Sequence, residues 1–319
     1  MSTSGCCSPT FATTDAPMVA PTAVVAVIIT YNPDLLRLAQ QIGVLQPQVW
    51  KIVVVDNGSA ENMEAWARQW PGAGSFLCVV PLGKNRGIAA AQNQGIACAR
   101  AQGASHVLLM DHDSLPAPDM VSHLSNALQA RADAAAAGPW YTDPRRSRAG
   151  TPFVRIEGFS MRRLACIGAE TIHPVDHLIA SGCLIPMAVL DKVGPLREDF
   201  FIDFVDVEWC LRAHHAGYVV YGVCAARMEH SLGDSPVRFL GREYLSHAPW
   251  RLYYHVRNAL LLYREPWVPL NWKCVSAWRL VLKIGFMVIV PAARWQHLRQ
   301  SARGFLHGLQ SRTNQPPAR

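Results

Sequence analysis

The chain has 319 residues, half of them hydrophobic, which suits one large α/β domain with an appendage and excludes a disordered or low-complexity protein. Its formal net charge of +7 is unevenly spread: from Arg238 onward there are 13 Lys and Arg against two acids, Glu243 and Glu265, whereas the preceding part holds 17 basic and 21 acidic residues. A basic tail rich in apolar residues points to an anionic membrane surface rather than to nucleic acid.

Residues 1–22 are rich in Ser, Thr, Ala and Pro and lack an early cation followed by an apolar stretch, so they read as a flexible N-terminal extension and not as a secretory signal. The nine cysteines show no Cys-x-x-Cys spacing and sit mostly in apolar runs, a pattern that predicts free, buried thiols in a reducing compartment.

Val24 to Ile29 is a continuous apolar run that stops at Thr30-Tyr31-Asn32-Pro33, as a buried parallel strand stops at a turn. Asp34 to Gln46 carries leucines and Ile42 at helical spacing, and a second strand, Lys51 to Val55, ends at Asp56-Asn57-Gly58-Ser59. Helices over Glu61 to Gln69 and Ile88 to Gln102 alternate with strands near Phe76 to Pro81 and over His106 to Met110. This alternation predicts an α/β fold with a mostly parallel sheet flanked by helices. Ligands of such sheets lie beyond the carboxyl ends of the strands. Three of those ends carry polar or acidic residues: Thr30 to Asn32, Asp56 to Ser59, and Asp111 to Ser114.

In Asp111-His112-Asp113-Ser114, two carboxylates follow an apolar strand with one residue between them. Acids so placed repel one another unless a cation is near, and oxygen ligands of this kind suit Mg²⁺ or Mn²⁺ gripping a diphosphate. Asp113 is placed to reach the metal, and Asp111 to contact ribose or a metal-bound water.

The ordered set Val27 to Asn32, Val53 to Ser59, Asn85-Arg86-Gly87, Asp111 to Ser114, Ser181-Gly182 and Phe201 to Arg212 resembles the inverting glycosyltransferases of family 2, bacterial rhamnosyltransferases in particular. That resemblance implies an A-type glycosyltransferase fold. It further implies that Thr30, Tyr31 and Asn32 line the nucleotide pocket with Asn57, that Asp56 accepts the imino proton of uracil or thymine, and that Asp113 ligates metal. Lys84, Asn85, Arg86 and the backbone N–H groups of their loop would face donor oxygens at a helix start. Asp206 would take the acceptor hydroxyl proton, with Glu208 orienting the site. His230 stands where many relatives carry a further metal or phosphate contact; a structural histidine is the equal alternative. Position 112 holds His where such rhamnosyltransferases often carry Gln.

The apolar stretch from Val275 to Ala293 is interrupted by Arg279 and Lys283 and is too short between charges to span a bilayer. On a helical projection these cations and Arg294 form one sector, with Trp278, Leu282, Phe286 and Val290 elsewhere, and Pro291 bends or breaks the helix. An interfacial helix with its cations toward water fits this pattern, and so does a helix packed on the catalytic domain or on a second subunit of a homo-oligomer. Residues 23–235 are thus expected to form the nucleotide-sugar-binding and catalytic domain, and 236–319 a basic helical region that associates with membrane. The expected activity is inverting transfer of a sugar, L-rhamnose from dTDP-L-rhamnose or another UDP- or dTDP-sugar, to a lipid-linked or growing surface polysaccharide. The expected location is cytoplasmic, peripheral at the inner face of the membrane. A nucleotidyltransferase or a non-catalytic nucleotide-sugar-binding module are the competing classes; the former would need a basic Gly-rich loop after the first strand, where Thr30-Tyr31-Asn32 stands.

Overall fold

A computed structural model describes residues 23–144, 150, 153–230, 236–239, 242–245, 248–290 and 293–311. The expected N-terminal extension, Cys6, Cys7 and Pro291 lie outside these residues.

The chain begins with β1 (Val24–Thr30), α1 (Leu35–Leu45), β2 (Lys51–Asp56), α2 (Met63–Ala67), β3 (Leu77–Pro81), α3 (Ile88–Ala101) and β4 (His106–Asp111). The β1 strand is buried along its whole length, and alternation splits its side chains between two cores. Val25, Val27 and Ile29 pack in one core with Ile96 and Ala99 of α3, and Val24, Ala26 and Ile28 in the other with Leu38, Ile42 and Leu45 of α1. Asp34 starts α1 by accepting hydrogen bonds from the N–H groups of Leu36 and Arg37.

There follow β5 (Leu115–Pro116), α4 (Met120–Gln129), β6 (Ala134–Thr142), a hairpin of β7 (Phe153–Glu157) and β8 (Ser160–Leu164), β9 (Ile172–Val175), β10 (Cys183–Pro186) and α5 (Met187–Val193). Next come a 3₁₀ turn (Glu198–Phe200), α6 (Val205–His215) and β11 (Val219–Glu229), then a small hairpin of β12 (Pro236–Phe239) and β13 (Arg242–Leu245). The large sheet runs β3-β2-β1-β4-β10-β6-β11-β5, with β9 also on β11. The strands β1 to β4 are parallel to one another, and β10 enters antiparallel between β4 and β6. Register sets Thr30 beside Asp56 and Ile29 beside Asp111, so the three polar strand ends meet on one edge of the sheet.

The chain closes with α7 (Pro249–Arg264), α8 (Leu270–Ile289) and α9 (Arg294–Leu309). Leu261, Leu262, Val268 and Trp272 belong to the same buried cluster as the α3 side of the sheet, so this region is packed on the α/β part. Among the described residues no helix is long and apolar enough to cross a membrane. Two expectations are corrected. First, the cysteines are not all free: Cys166 and Cys224 form a disulfide, brought together where β11 pairs with β9 although 58 positions apart in sequence. Second, only part of the expected cationic sector faces water. Arg279 and Arg294 are exposed, whereas Lys283 is half-buried and lines a half-open cavity with Phe204 and His255, and Trp278, Val281 and Leu282 share the exposed surface with Arg279.

A Cβ at Gly95 would collide with the Val27 side chain, which is why α3 lies so close over β1. Gly95→Val is expected to destabilise the fold by about 1–3 kcal/mol, the usual range for overpacking. An unchanged urea midpoint would contradict this packing.

Candidate active site

Beyond the carboxyl ends of the strands lies a cleft of roughly 430 Å³, lined among others by Tyr31, Asn57, Asn85, Asp111, Asp113, Asp206 and His230. Ligand atoms of Asp111, Asp113 and His230 all lie within 4.8 Å of one another, a convergence that among the described residues this group alone shows. His230 follows β11, its N–H donating to the Thr142 carbonyl, and its Nδ1 stands 3.2 Å from Asp113 Oδ1 while Nε2 is 3.8 Å from Asp111 Oδ2.

The acidic turn is held from behind. Gln41 Nε2 donates to the Asp111 carbonyl at 2.8 Å and Arg37 Nε to the Asp113 carbonyl at 2.9 Å. Ser181 Oγ accepts from the Asp111 N–H and lies 2.6 Å from Ser114 Oγ, which in turn is 2.8 Å from His230 Nδ1. This chain of hydroxyls fixes the imidazole and leaves Nε2 to face a cation, the way ligating histidines are usually oriented. Burial pushes the Asp111 carboxyl above its ordinary range. Burial works the same way on Asp113, but the adjacent His230 outweighs it and holds Asp113 low. Asp113 Oδ1 is sealed from solvent with no donor aligned on it. Two carboxylates, one of them with this orphaned buried oxygen, and an imidazole are a donor set that fits a hard divalent ion.

On the opposite wall, Phe201, Asp203 and Phe204 all have positive φ, 62°, 63° and 65°, just before α6 begins. Such strain in non-glycine residues persists only where surroundings enforce it. Asn258 of α7 enforces it with one amide group: Nδ2 donates to the carbonyls of Phe200, Ile202 and Asp203 at 2.8–2.9 Å. Arg257 adds bonds to the Asp199 and Phe200 carbonyls. The loop delivers Asp206 into the first turn of α6, where burial, then the charges of Asp203 and Asp111, push its carboxyl up to about 6. Asp203 is buried too, yet Arg251 in a bidentate pair holds it down to about 2.

Residues 25–179 match the glycosyl transferase family 2 model. The chain is 35% identical over 246 residues to the dTDP-rhamnosyl transferase RfbF of Shigella flexneri, covering 77% of this chain and 81% of that one. The chain belongs to glycosyltransferase family 2. Its fold is shared with GalNAc-T7, solved with UDP, GalNAc and Mn²⁺, at a TM-score of 0.58 and 12% identity over 94% of this chain and 59% of that one. It is shared also with S. aureus TarS 1–349 in complex with UDP, at a TM-score of 0.57 and 13% identity over 91% and 82% of the two chains. These two likenesses establish the A-type fold alone.

Within this family 2 transferase, Tyr31, Asn57, Asn85, Asp111, Asp113, Asp206 and His230 meet in the cleft. Thr30 is fully buried behind it and donates to Asp56 Oδ1 at 3.3 Å, while Asn32 and Ser59 tie the ends of β1 and β2 together. All hydrogen bonds of the Asp56 carboxylate among the described residues fall on Oδ1, including those from the Ser59 N–H and hydroxyl. The loop before α3 departs from expectation. Its N–H groups are spent internally, Arg86 on Asn57 Oδ1, Gly87 on Asn85 Oδ1 and Ile88 on the Phe201 carbonyl, so none of these three is left for donor oxygens. Lys84 and Arg86 are exposed and outside the cleft lining. Glu208 is likewise turned away: it is buried in a bidentate pair with Arg212, which also donates to the Val193 and Pro195 carbonyls beyond α5.

Sequence reasoning missed Trp250 and Arg251 of α7, which line the cleft, and the roles of Ser114, Ser181 and Asn258. The Ser181-Gly182 pair was visible as a motif, but nothing in one sequence shows which backbone an amide 55 positions downstream will grip. Asn258→Ala removes a donor from three loop carbonyls and leaves those of Ile202 and Asp203 without it, while Phe200 keeps its bond from Arg257. It is expected to cost about 1–3 kcal/mol in urea unfolding and to lower transfer without changing nucleotide affinity. Full activity in this variant would show that the loop holds its shape unaided.

Proposed function

We propose that the protein is an inverting rhamnosyltransferase, taking L-rhamnose from dTDP-L-rhamnose to a lipid-linked or growing surface glycan with Mg²⁺ or Mn²⁺ as cofactor. The observation that carries this reading is the shared cleft: the Asp111, Asp113 and His230 group and the Asp206 carboxylate face one another across it. The donor sugar is supported by the name of the RfbF relative, and the metal by the donor set and by the Mn²⁺ with which GalNAc-T7 was solved.

Asp113, with Asp111 and His230, would hold the metal, which supplies positive charge to a departing diphosphate when bound. Asp56 lies at the β2 end beside the pocket, and its Oδ2 is left to accept the imino N–H of thymine or uracil, with Tyr31 and Asn57 lining the path to the diphosphate. Asp206 takes the proton of the acceptor hydroxyl as that oxygen attacks the anomeric carbon from the face away from the diphosphate, which inverts the centre. A carboxyl poised at about 6 is a stronger base than an ordinary one and still ionised at neutral pH. Arg251 pairs with Asp203 and offsets part of the charge that Asp203 sets beside Asp206.

The proposed location is the cytoplasmic face of a membrane, with contact made by the exposed apolar residues of α8 and α9, among them Trp278 at 64% and Trp295 at 82% exposure. The disulfide removes the cysteine argument for a reducing compartment, so this placement rests on those side chains. A second subunit covering the same face is the alternative, to be read from solution mass.

The test scores release of dTDP from dTDP-L-rhamnose, beside other UDP- and dTDP-sugars, with metal and a lipid-linked glycan. Turnover should fall as pH drops through about 6, because protonation removes the base, and stay level above it. Asp206→Asn should bind donor normally and lose about a hundred- to ten-thousandfold in rate with no such pH step. Turnover with no nucleotide sugar sinks the proposal, and parental rates in the variant remove Asp206 as the base.

A further inference from the structure

The cavity beneath α8, of about 510 Å³, shares a wall with the cleft at Phe204, which lines both. Its walls are apolar, from Val154 and Ile156 of the β7–β8 hairpin to Trp272, Leu280 and Met287 of α8. Lys283 is half-buried in this space, and the exposed Arg279, one helical turn away, borders its mouth. Like charges at that spacing repel, and drawing Lys283 partly out of water adds a further cost.

Among the described residues no carboxylate lies within ion-pairing distance of either. The Lys283 ammonium rests against the His255 ring at 3.3 Å, and Arg279 feels the charge of Arg163 from the hairpin. Asp203, the nearby acid that favours the Lys283 charge, is already committed to Arg251. Burial, with only partial compensation from Asp203, lowers Lys283 to about 8. The outer face of the same helix is the reverse of what water favours, with Trp278, Val281 and Leu282 exposed, and Leu282 also borders the cavity.

We propose that this cavity binds the head of the acceptor's own lipid, an alkyl or isoprenyl diphosphate, with Arg279 and Lys283 on the phosphates and the first carbons of the chain along Trp272 and Leu280. The proposal rests on the transferase reading above and names the acceptor's anchoring group. Charge complementarity selects the ligand: a half-buried Lys283 beside Arg279 at the cavity mouth suits a multivalent anion, and the apolar walls suit hydrocarbon attached to it. Position selects the acceptor over bulk lipid, since Phe204 separates the cavity from the Asp206 side of the cleft, away from Asp56.

Calorimetric titration of the full chain in EDTA, which silences any metal-dependent diphosphate site, compares farnesyl diphosphate with farnesol and with inorganic pyrophosphate. Farnesyl diphosphate should bind about tenfold or more tightly than either, the worth of one charge-assisted hydrogen bond. Arg279→Gln with Lys283→Gln should erase that preference and leave metal-dependent nucleotide affinity unchanged. Farnesol binding as well as its diphosphate, pyrophosphate binding as well, or full affinity in the double variant would each overturn the proposal. The probe comparison needs no variant, so a misfolded mutant does not block it. A chain that binds metal and nucleotide but treats the three probes alike loses this inference and keeps the transferase reading.

Discussion

Four carboxylates, Asp111, Asp113, Asp203 and Asp206, are gathered around one cleft, and their mutual repulsion is the constraint the rest of the molecule answers. Asp111, Asp113 and Asp203 are held by groups that lie off the sheet. Arg37 and Gln41 of α1 grip the backbone of the acidic turn, Ser181 and Ser114 steer His230, and Arg251 pairs with Asp203. What stays uncompensated shows in the protonation tendencies: burial lifts Asp111 and Asp206, and only Asp113, against His230, and Asp203, against Arg251, remain low. A divalent ion held by Asp111, Asp113 and His230 would relieve this repulsion directly.

The strained loop from Phe201 to Phe204 joins three parts of the chain. Its Phe201 carbonyl takes the first free N–H of α3, its other carbonyls are held by α7, and its far end starts α6 with Asp206. A Cβ on Gly87 would strike Phe201, so that glycine is required by close approach as well as by its φ of 90°. The C-terminal helices thus belong to the reacting centre. Trp250 and Arg251 line it, and α7 sets the geometry of the loop opposite the metal group.

The parallel half of the sheet was legible because a strand covered on both faces must be apolar throughout, and its end must be marked by polar turn residues. Asp111, Asp113 and Asp206 were legible as members of an ordered set, and His230 as a candidate contact, with a structural histidine as the equal alternative. The errors share one cause: they concern which partner a group finds across the fold. The N–H groups of the Asn85-Arg86-Gly87 loop are free in any helix start until a carbonyl from residue 201 arrives. Glu208 looked like a site residue in the first turn of a helix, yet its turn-mate Arg212 claims it. Cys166 and Cys224 meet only through strand pairing, and the half-burial of Lys283 follows from which side of α8 meets the rest of the fold. A helical projection separates the two faces of a helix and does not say which one is buried.

The central claim is that the acidic pair and His230 create a nucleotide site only together with a divalent ion. Titrating dTDP into the unsubstituted chain with Mn²⁺ or Mg²⁺, then in EDTA, and repeating both with Asp113→Ala tests it most directly. The account predicts binding that needs the ion and disappears in the variant. Equal affinity in all conditions would contradict it.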